Sequence, residues 1–182
     1  GHDHSFVRRS LDVRTTVVTV DGTGDDQQAW VVSGLRDLVV LKSTGSEFAG
    51  FLHDEFTPLA ETHDRVMSTS LAVRWRYRGV DVDWRTSYDV IRATLLEKFA
   101  SVHSRALQQT LYEMGKAVLE RLHNVVEIRL SAPNIHHFAV DLERFGLDNP
   151  CEVFYAADRP YGLIQASVRR DDGPDPGRAW EG

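Results

Sequence analysis

The chain has 182 residues, a length that suits one domain with a sizeable hydrophobic core. Its net charge of −6 comes from acidic and basic residues mixed along the sequence, which argues against nucleic-acid binding. No apolar stretch is long enough to cross a bilayer, so we expect no membrane partner. The single cysteine, Cys151, excludes an internal disulfide, and we expect a small buried residue in a reducing compartment.

The first part of the chain predicts a long hairpin followed by a short helix. Alternating residues over 5–20 predict one strand, and β-branched or large apolar residues over 30–41 predict the second. Residues 56–67 are interpreted as a short helix. Residues 70–77, which are rich in aromatic side chains, predict a third extended segment.

Two amphipathic helices follow, and their periodicity is the clearest signal in the sequence. Thr86 or Ser87 is expected to cap the first helix, and Ser104 the second. The short join at 101–104 predicts that the helices lie antiparallel. Their apolar stripes are Tyr88, Ile91, Leu95 and Phe99 in the first helix, and Leu107, Leu111, Met114, Val118 and Leu122 in the second.

The last third of the chain predicts extended segments and a tail. Alternation over 126–130 predicts a strand, which Asn134 is expected to break. Residues 153–155 and 163–168 are expected to supply the last strand, around a DRPYG turn. The tail over 171–182, which is rich in Pro, Gly and Asp, is expected to be disordered. One face of the strand that continues after the break would carry His136, Phe138, Val140 and Leu142.

The predicted order is strand, strand, helix, helix, strand, strand. This order collects both helices on one face of an antiparallel sheet, which is an α+β fold, and we expect one unit over residues 1–170. A four-stranded sheet of long strands has two open edges, and open edges favour pairing with another copy or another domain. We therefore expect an oligomer.

Residues 41–65, LKSTGSEFAGFLHDEFTPLAETHDR, combine an aromatic ring with an arginine. The ring of Phe48 could cover the face of a ligand, and the guanidinium of Arg65 could bind a planar acceptor edge through two parallel hydrogen bonds. Such a pair suits a flat anionic heterocycle. Taken alone, each residue has a simpler explanation, since most Phe side chains are packing residues and most Arg side chains are surface charges.

Three segments resemble the urate oxidase (uricase) family, in that family's order and at similar spacing. They are residues 41–65, SRALQQTLYEM at 104–114 and SAPNIHHFAVDL at 131–142, while HDHSFVR at the start resembles a strand opening from the middle of the same enzyme. The resemblance extends to about Arg170. It implies the tunnelling fold, in which such units associate into a barrel. Each full subunit of the family carries two units, and we expect a homotetramer.

The resemblance also implies a set of substrate-binding residues. Phe48 matches the ring that stacks on the purine, and Arg65 matches the guanidinium that clamps its acidic edge. Gln108 matches the amide that pairs with the pyrimidine half, and Leu107 contributes a neighbouring backbone group. The implied reaction is oxidation of urate by dioxygen to 5-hydroxyisourate and hydrogen peroxide, without a cofactor.

The implied catalytic residues are Asn134 and His136, on the side of the ring where oxygen or water sits. An amide can hydrogen-bond oxygen without becoming charged, and a histidine can relay a proton near neutral pH. In the family the base is a lysine helped by a threonine, and both lie in the first of the two units. None of this chain's lysines lies in a matching segment, so we expect the chain to be inactive alone and to need the N-terminal unit, whether the chain is a fragment of a longer protein or one of two polypeptides. The lysines are Lys42, Lys98 and Lys116.

Two other functions stay open from the sequence. The chain could be a purine-binding or scaffold subunit without turnover, or another tunnelling-fold enzyme that acts on a purine or pterin, usually with zinc. His2 and His4 have the alternate spacing that can hold a metal on a strand, but a third ligand would be required. We expect a cytoplasmic protein, since the chain does not end in a peroxisomal tripeptide.

Overall fold

The computed structural model describes residues 2–8, 12–57, 60–157 and 162–182. No helix in these ranges is both long and apolar enough to span a membrane. The strands and helices of the described ranges are β1 (Ser5–Val7), β2 (Val13–Asp21), β3 (Gln28–Lys42), β4 (Met67–Tyr77), α1 (Trp84–Ser101), α2 (Leu107–Arg121), β5 (Val125–Ile135), β6 (His137–Ala139), β7 (Phe154–Ala156) and β8 (Leu163–Arg169).

The main sheet is antiparallel and one strand position wider than predicted. Its order is β3, β4, β5, β8, and both β1 and β2 pair with the remaining edge of β3. β1 lies opposite residues 40–42, and β2 lies opposite residues 28–36. The strand predicted over 5–20 is thus observed as two segments, and its residues 9–11 lie outside the described ranges. The α+β class is confirmed.

Both helices pack on one face of this sheet and enclose the core. Leu38, Val73 and Leu111 have no exposed surface, and the indole of Trp75 donates a hydrogen bond of 2.7 Å to the hydroxyl of Tyr77. The predicted helical stripes supply this core, because apolar side chains at this spacing share one helix face. The buried members of the stripes are Ile91, Leu95, Phe99, Leu107, Leu111, Met114 and Val118.

The helix caps differ from the prediction. Asp83 caps α1, and its carboxylate accepts a hydrogen bond of 3.0 Å from the backbone N–H of Thr86. The cap position of α2 is Ala106, which makes no side-chain cap bond. The hydroxyl of Ser104 instead accepts a bond of 2.8 Å from the hydroxyl of Thr110. The predictions of Thr86, Ser87 and Ser104 as caps are wrong, since α1 begins at Trp84, directly after Asp83 and two residues before Thr86, and α2 begins at Leu107, three residues after Ser104.

The helix predicted over 56–67 is also wrong. Met67 is the first residue of β4, and the described residues before it form an irregular hairpin. The carboxylate of Asp54 accepts hydrogen bonds from the backbone N–H of Phe56 and the hydroxyl of Thr57, at 2.9 and 2.7 Å. Such local side-chain bonds favour a turn over a helix.

The chain after Asn134 also departs from the prediction. β5 runs through Asn134 to Ile135, so no break occurs there. β6 then pairs with β7 in a separate two-stranded sheet, and β8 pairs with β5. Residues 158–161, which include most of the DRPYG turn, lie outside the described ranges.

The expectations for the tail and for Cys151 are both wrong. Residues 171–182 were expected to be disordered but lie against the sheet face opposite the helices, where Ala179 is only 3% exposed. The indole of Trp180 donates to the carboxylate of Glu127 at 3.2 Å and lies under the guanidinium of Arg129. Cys151 was expected to be buried but is exposed, because it lies in the connection between β6 and β7 with a left-handed φ of 59°.

Candidate functional site

The hairpin whose described residues are 46–57 and 60–65 brings Phe48 and Arg65 together. Its arms are joined by reciprocal backbone hydrogen bonds between Phe48 and Thr62, at 2.7 and 3.0 Å, and by a bond of 2.8 Å from Arg65 N–H to the carbonyl of Ser46. The guanidinium carbon of Arg65 therefore lies 5.5 Å from the centre of the Phe48 ring. Residues that are distant in sequence form one edge of a site because the arms are antiparallel.

A carboxylate closes the base of this hairpin. Asp64 accepts a hydrogen bond of 2.6 Å from the hydroxyl of Thr44 and one of 3.0 Å from the backbone N–H of Gly45. These two bonds hold the arm that carries Arg65 against the end of β3. Hydrogen bonds to a charged acceptor are stronger than neutral ones, so this contact fixes where the hairpin leaves the sheet.

The N-terminus of α2 lies beside the same hairpin. Glu47 donates a backbone hydrogen bond of 2.7 Å to Ser104, and Ser104 donates one of 3.0 Å to Gly45. α2 begins three residues later, so its first turn carries Leu107 and Gln108 to this end of the sheet. Leu107 is buried in the core, and Gln108 is exposed. The Gln108 amide is thus accessible to a ligand, while Leu107 can offer only its backbone.

The pairing of β4 with β5 brings Asn134 and His136 to the same end. β4 begins two residues after Arg65, and its residue Thr69 lies opposite Asn134. The amide nitrogen Nδ2 of Asn134 is 3.4 Å from Nε2 of His136. Both side chains are half-buried. The ring of His136 also stacks on Phe138 at 5.6 Å, which restricts its orientation.

Three buried polar atoms near these residues have no hydrogen-bond partner in the described part of the chain. They are Nε of Arg65 and the hydroxyl oxygens of Ser46 and Thr69. A buried polar group without a partner costs about 1–3 kcal/mol, so a bound polar molecule would relieve that cost. Burial also lowers the pKa of Arg65. Ser46 and Thr69 were missed in the sequence, although both lie within a few residues of Phe48 or Arg65.

Each of the three lysines lies on a helix or against the end of one. Lys42 donates from its ammonium to the carbonyl of Val102, at the C-terminal end of α1, and burial lowers its pKa. Lys98 lies in the last turn of α1. Lys116 faces Glu120 on α2 at 3.9 Å.

The candidate metal ligands of the N-terminal strand lie in a recess at the surface. His2 and His4 line a surface recess together with Lys42 and His103. Within the described ranges, no group of three or more His, Cys, Asp or Glu side chains is placed to hold a metal ion. A cationic lysine in the recess also opposes metal binding there.

The comparison with known proteins decides the family. The sequence model of the uricase family matches residues 31–165, which include all six candidate residues. The chain belongs to the uricase family. The family resemblance predicted from residues 41–65, 104–114 and 131–142 is confirmed.

Individual uricases agree with this membership over most of the chain. The chain is 54% identical to the uricase of Arthrobacter globiformis over 170 residues, which are 93% of this chain and 55% of that protein. It is 41% identical to the uricase of Oryctolagus cuniculus over 144 residues, which are 76% of this chain and 48% of that protein. This uricase-family chain therefore spans about half the length of these relatives.

Solved structures agree on the fold. The crystal structure of Arthrobacter globiformis uricase superposes with a TM-score of 0.86 at 51% identity, over 94% of this chain and 58% of that one. A uricase from Bacillus fastidious superposes with a TM-score of 0.75 at 25% identity, over 87% of this chain and 50% of that one. The antiparallel sheet with two helices on one face is thus the tunnelling fold of uricases.

Proposed function

We propose that this uricase-family chain supplies the substrate-binding and oxygen-facing part of a urate oxidase. The reaction is the oxidation of urate by dioxygen to 5-hydroxyisourate and hydrogen peroxide. The observation that carries the proposal is the placement of Phe48 and Arg65 on facing hairpin arms, at the sheet end where Asn134 lies 3.4 Å from His136. An aromatic face, a planar cation and a neutral amide–imidazole pair are the groups that a flat anion and dioxygen require.

The binding half of the site fits urate by chemistry. Urate is flat and acidic, and its edges alternate carbonyl acceptors with ring N–H donors. Arg65 can direct two parallel hydrogen bonds at an acceptor edge, and its buried Nε has no partner among the described residues. Phe48 can cover the ring face. The exposed amide of Gln108 can donate and accept at once, so it can pair with a carbonyl and an adjacent N–H.

The oxygen side of the site needs few groups. Two electrons pass from the urate anion to dioxygen, which takes up two protons to become hydrogen peroxide, and water supplies the new hydroxyl group. Asn134 can hold dioxygen or water without changing charge. His136 can move a proton close to neutral pH. Their mutual contact at 3.4 Å places the two groups side by side.

The proton acceptor for urate comes, in this proposal, from a second unit. The three lysines of this chain lie in helix contacts. This chain also spans only 55% of the Arthrobacter globiformis uricase. We therefore propose that turnover requires a further tunnelling-fold unit and association with other copies, as a homotetramer. A non-catalytic purine-binding subunit is the second candidate, since the same observations leave the binding residues without a base.

A complementation experiment tests both candidates. The chain would be combined with the part of the Arthrobacter globiformis uricase that it does not cover, and loss of urate absorbance and release of peroxide would be followed. We expect turnover that Arg65→Ala lowers by about 100-fold in kcat/KM, because hydrogen bonds to charged groups contribute about 1.5–3 kcal/mol each. Arg65→Lys should restore only part of the lost kcat/KM, because lysine retains the positive charge but cannot form the two parallel hydrogen bonds of a guanidinium.

Arg36→Ala is the matched control. Arg36 is an exposed arginine on β3 whose partner is Asp37, and its removal should leave kcat/KM unchanged. Urate binding without turnover in the complemented protein would favour the non-catalytic subunit. Full activity of the Arg65→Ala variant would refute the site assignment.

A further inference from the structure

A column of stacked rings extends from Phe48 to the tip of the hairpin. The ring of Phe51 lies 4.6 Å from that of Phe48, with an angle of 20° between their planes. The ring of His53 lies 4.4 Å from that of Phe51, at 30°. We refer to these three side chains as the ring column. Nε2 of His53 ends the column 3.4 Å from the carboxylate of Glu61.

The backbone turns at Gly50, so that the ring of Phe51 stacks on the ring of Phe48. Gly50 lies between them with a left-handed φ of 70°, a backbone conformation that residues other than glycine rarely adopt. The N–H of Gly50 donates a hydrogen bond of 2.8 Å to the same Glu61 carboxylate. The bond from Gly50 and then the one from His53 hold the pKa of Glu61 below its ordinary value. Glu61 precedes Thr62, the backbone partner of Phe48, so the column is anchored to both arms.

The ring column leaves Phe48 with one usable face. A ring stacked at 4.6 Å covers one face of Phe48, so a flat ligand that stacks on Phe48 must use the opposite face. The same contact opposes rotation of the half-buried Phe48 side chain. A platform whose orientation is fixed before binding costs less side-chain entropy when the ligand arrives.

We propose that Phe51 and His53 are positioning residues that hold Phe48 as a one-sided platform for a single flat anionic heterocycle. This inference rests on the proposed function, since it assigns to Phe48 the stacking of urate. Phe51 braces the ring of Phe48, and His53 braces Phe51 through its contact with Glu61. The residues act through Phe48 and do not touch the reacting atoms.

The hairpin tip provides variants that separate positioning from loop packing. Phe51→Leu keeps an apolar side chain and removes the ring, whereas Phe51→Tyr keeps the ring. Leu52→Ala and Phe56→Ala are controls on the same tip, where these side chains are 96% and 80% exposed. Each would be made in the complemented protein described above. The urate dissociation constant would be measured by equilibrium dialysis, and KM and kcat from turnover.

We expect Phe51→Leu to raise the urate dissociation constant and KM about two- to tenfold, the range that an aromatic pair contributes, with kcat within about twofold. Phe51→Tyr should restore the parent values, and both controls should match the parent. His53→Ala should show a smaller increase in KM than Phe51→Leu, because it removes the outer brace alone.

Each alternative outcome has a definite meaning. Unchanged urate binding in Phe51→Leu would overturn the platform while leaving the proposed function intact. Tighter binding in that variant would also overturn it, because Phe51 would then compete with urate for the ring. A parent protein that binds no urate would overturn the proposed function itself. A fall in kcat at constant KM would refute a positioning role.

Discussion

At the scale of single residues, the buried hydroxyl of Thr69 points to a role in binding. Its side chain is fully buried opposite Asn134, and its hydroxyl has no hydrogen-bond partner in the described ranges. Strand positions favour β-branched residues, and valine would fill the same shape without a polar atom. The hydroxyl therefore reduces the stability of the chain, unless a bound molecule satisfies it.

Replacing this hydroxyl should stabilise the chain. We expect Thr69→Val to raise the free energy of unfolding in urea by about 1 kcal/mol, because the variant removes an unsatisfied buried group. Thr94→Val is the matched control, since the equally buried hydroxyl of Thr94 donates to the carbonyl of Val90 at 2.7 Å and accepts from Arg121 at 3.0 Å. In Thr94→Val the free energy of unfolding should fall by about 1 kcal/mol. A comparable loss in Thr69→Val would show that its hydroxyl already binds a buried water.

The site residues themselves could not be derived from residue type and spacing alone. Residue type suggested that Phe48 and Arg65 could bind a flat anion, but they lie in an irregular hairpin without helical or strand periodicity, so their assignment to a site depended on the family resemblance. The helix caps were missed for another reason. Asp83, Thr86 and Ser87 can all cap a helix, and the choice among them depends on where the first turn begins.

At the scale of elements, long-range hydrogen bonds stabilise a hairpin where the sequence predicted a helix. Its arms are joined by Phe48 and Thr62, and its base by Asp64 and Gly45. These partners are separated by 14 and 19 residues, so no local pattern in the sequence shows them. The two helices and the central strands were predicted well because each has a repeating apolar face that fits one period.

A second element contact, between the segment before β2 and helix α1, gives a pH-dependent prediction. Asp12 accepts two hydrogen bonds from Arg92, at 2.7 and 3.1 Å, and this arginine lowers the pKa of Asp12 below its ordinary value of 3.8. A lowered carboxyl pKa means that the stabilisation is fully present above about pH 4 and is lost as the pH falls through the folded-state value.

We expect Asp12→Asn to lower the free energy of unfolding by about 1 kcal/mol at pH 7, a value reduced for the partial exposure of Arg92. The gap should shrink at pH 3, below the ordinary value of 3.8, because the unfolded parent chain then gains a proton at Asp12 and the advantage of the folded carboxylate is reduced. Urea unfolding at both pH values measures it. Asp37→Asn is the control, because Asp37 pairs with Arg36 at the surface and asparagine accepts its left-handed φ. An equal gap at both pH values would contradict the ion-pair explanation.

At the scale of the whole molecule, the C-terminal residues cover the sheet face that the helices leave open. This face carries Arg74, Arg76 and Arg129 beside one carboxylate, Glu127. Arg76 and Glu127 form a buried ion pair at 2.8 Å. Burial alone would raise the pKa of Glu127, but the hydrogen bonds from Arg76 and Arg129 outweigh it and hold the pKa below its ordinary value. Trp180 completes this carboxylate's partners.

The composition of the tail predicted disorder because proline, glycine and aspartate bury little apolar area. Composition does not show which hydrogen-bond and cation–π partners the sheet provides for a few residues of the tail. Trp180 finds an arginine and a carboxylate, and the terminal Gly182 carbonyl accepts a hydrogen bond of 2.7 Å from Arg74. The fold class and the order of the main elements along the chain could be predicted because they follow from local periodicity, whereas this packing depends on three distant sheet residues, Arg74, Glu127 and Arg129.

Trp180 is therefore expected to hold the tail in place. Its ring lies 3.8 Å from the guanidinium carbon of Arg129, and its indole N–H is bonded to Glu127. We expect Trp180→Ala to lower the free energy of unfolding by about 2 kcal/mol, as cation–π contact, hydrogen bond and apolar burial are lost together. Trypsin should also cleave after Arg178 faster. Trp180→Phe keeps the ring and should lose about half as much. If Trp180→Ala unfolds like the parent, the tail does not stabilise the sheet.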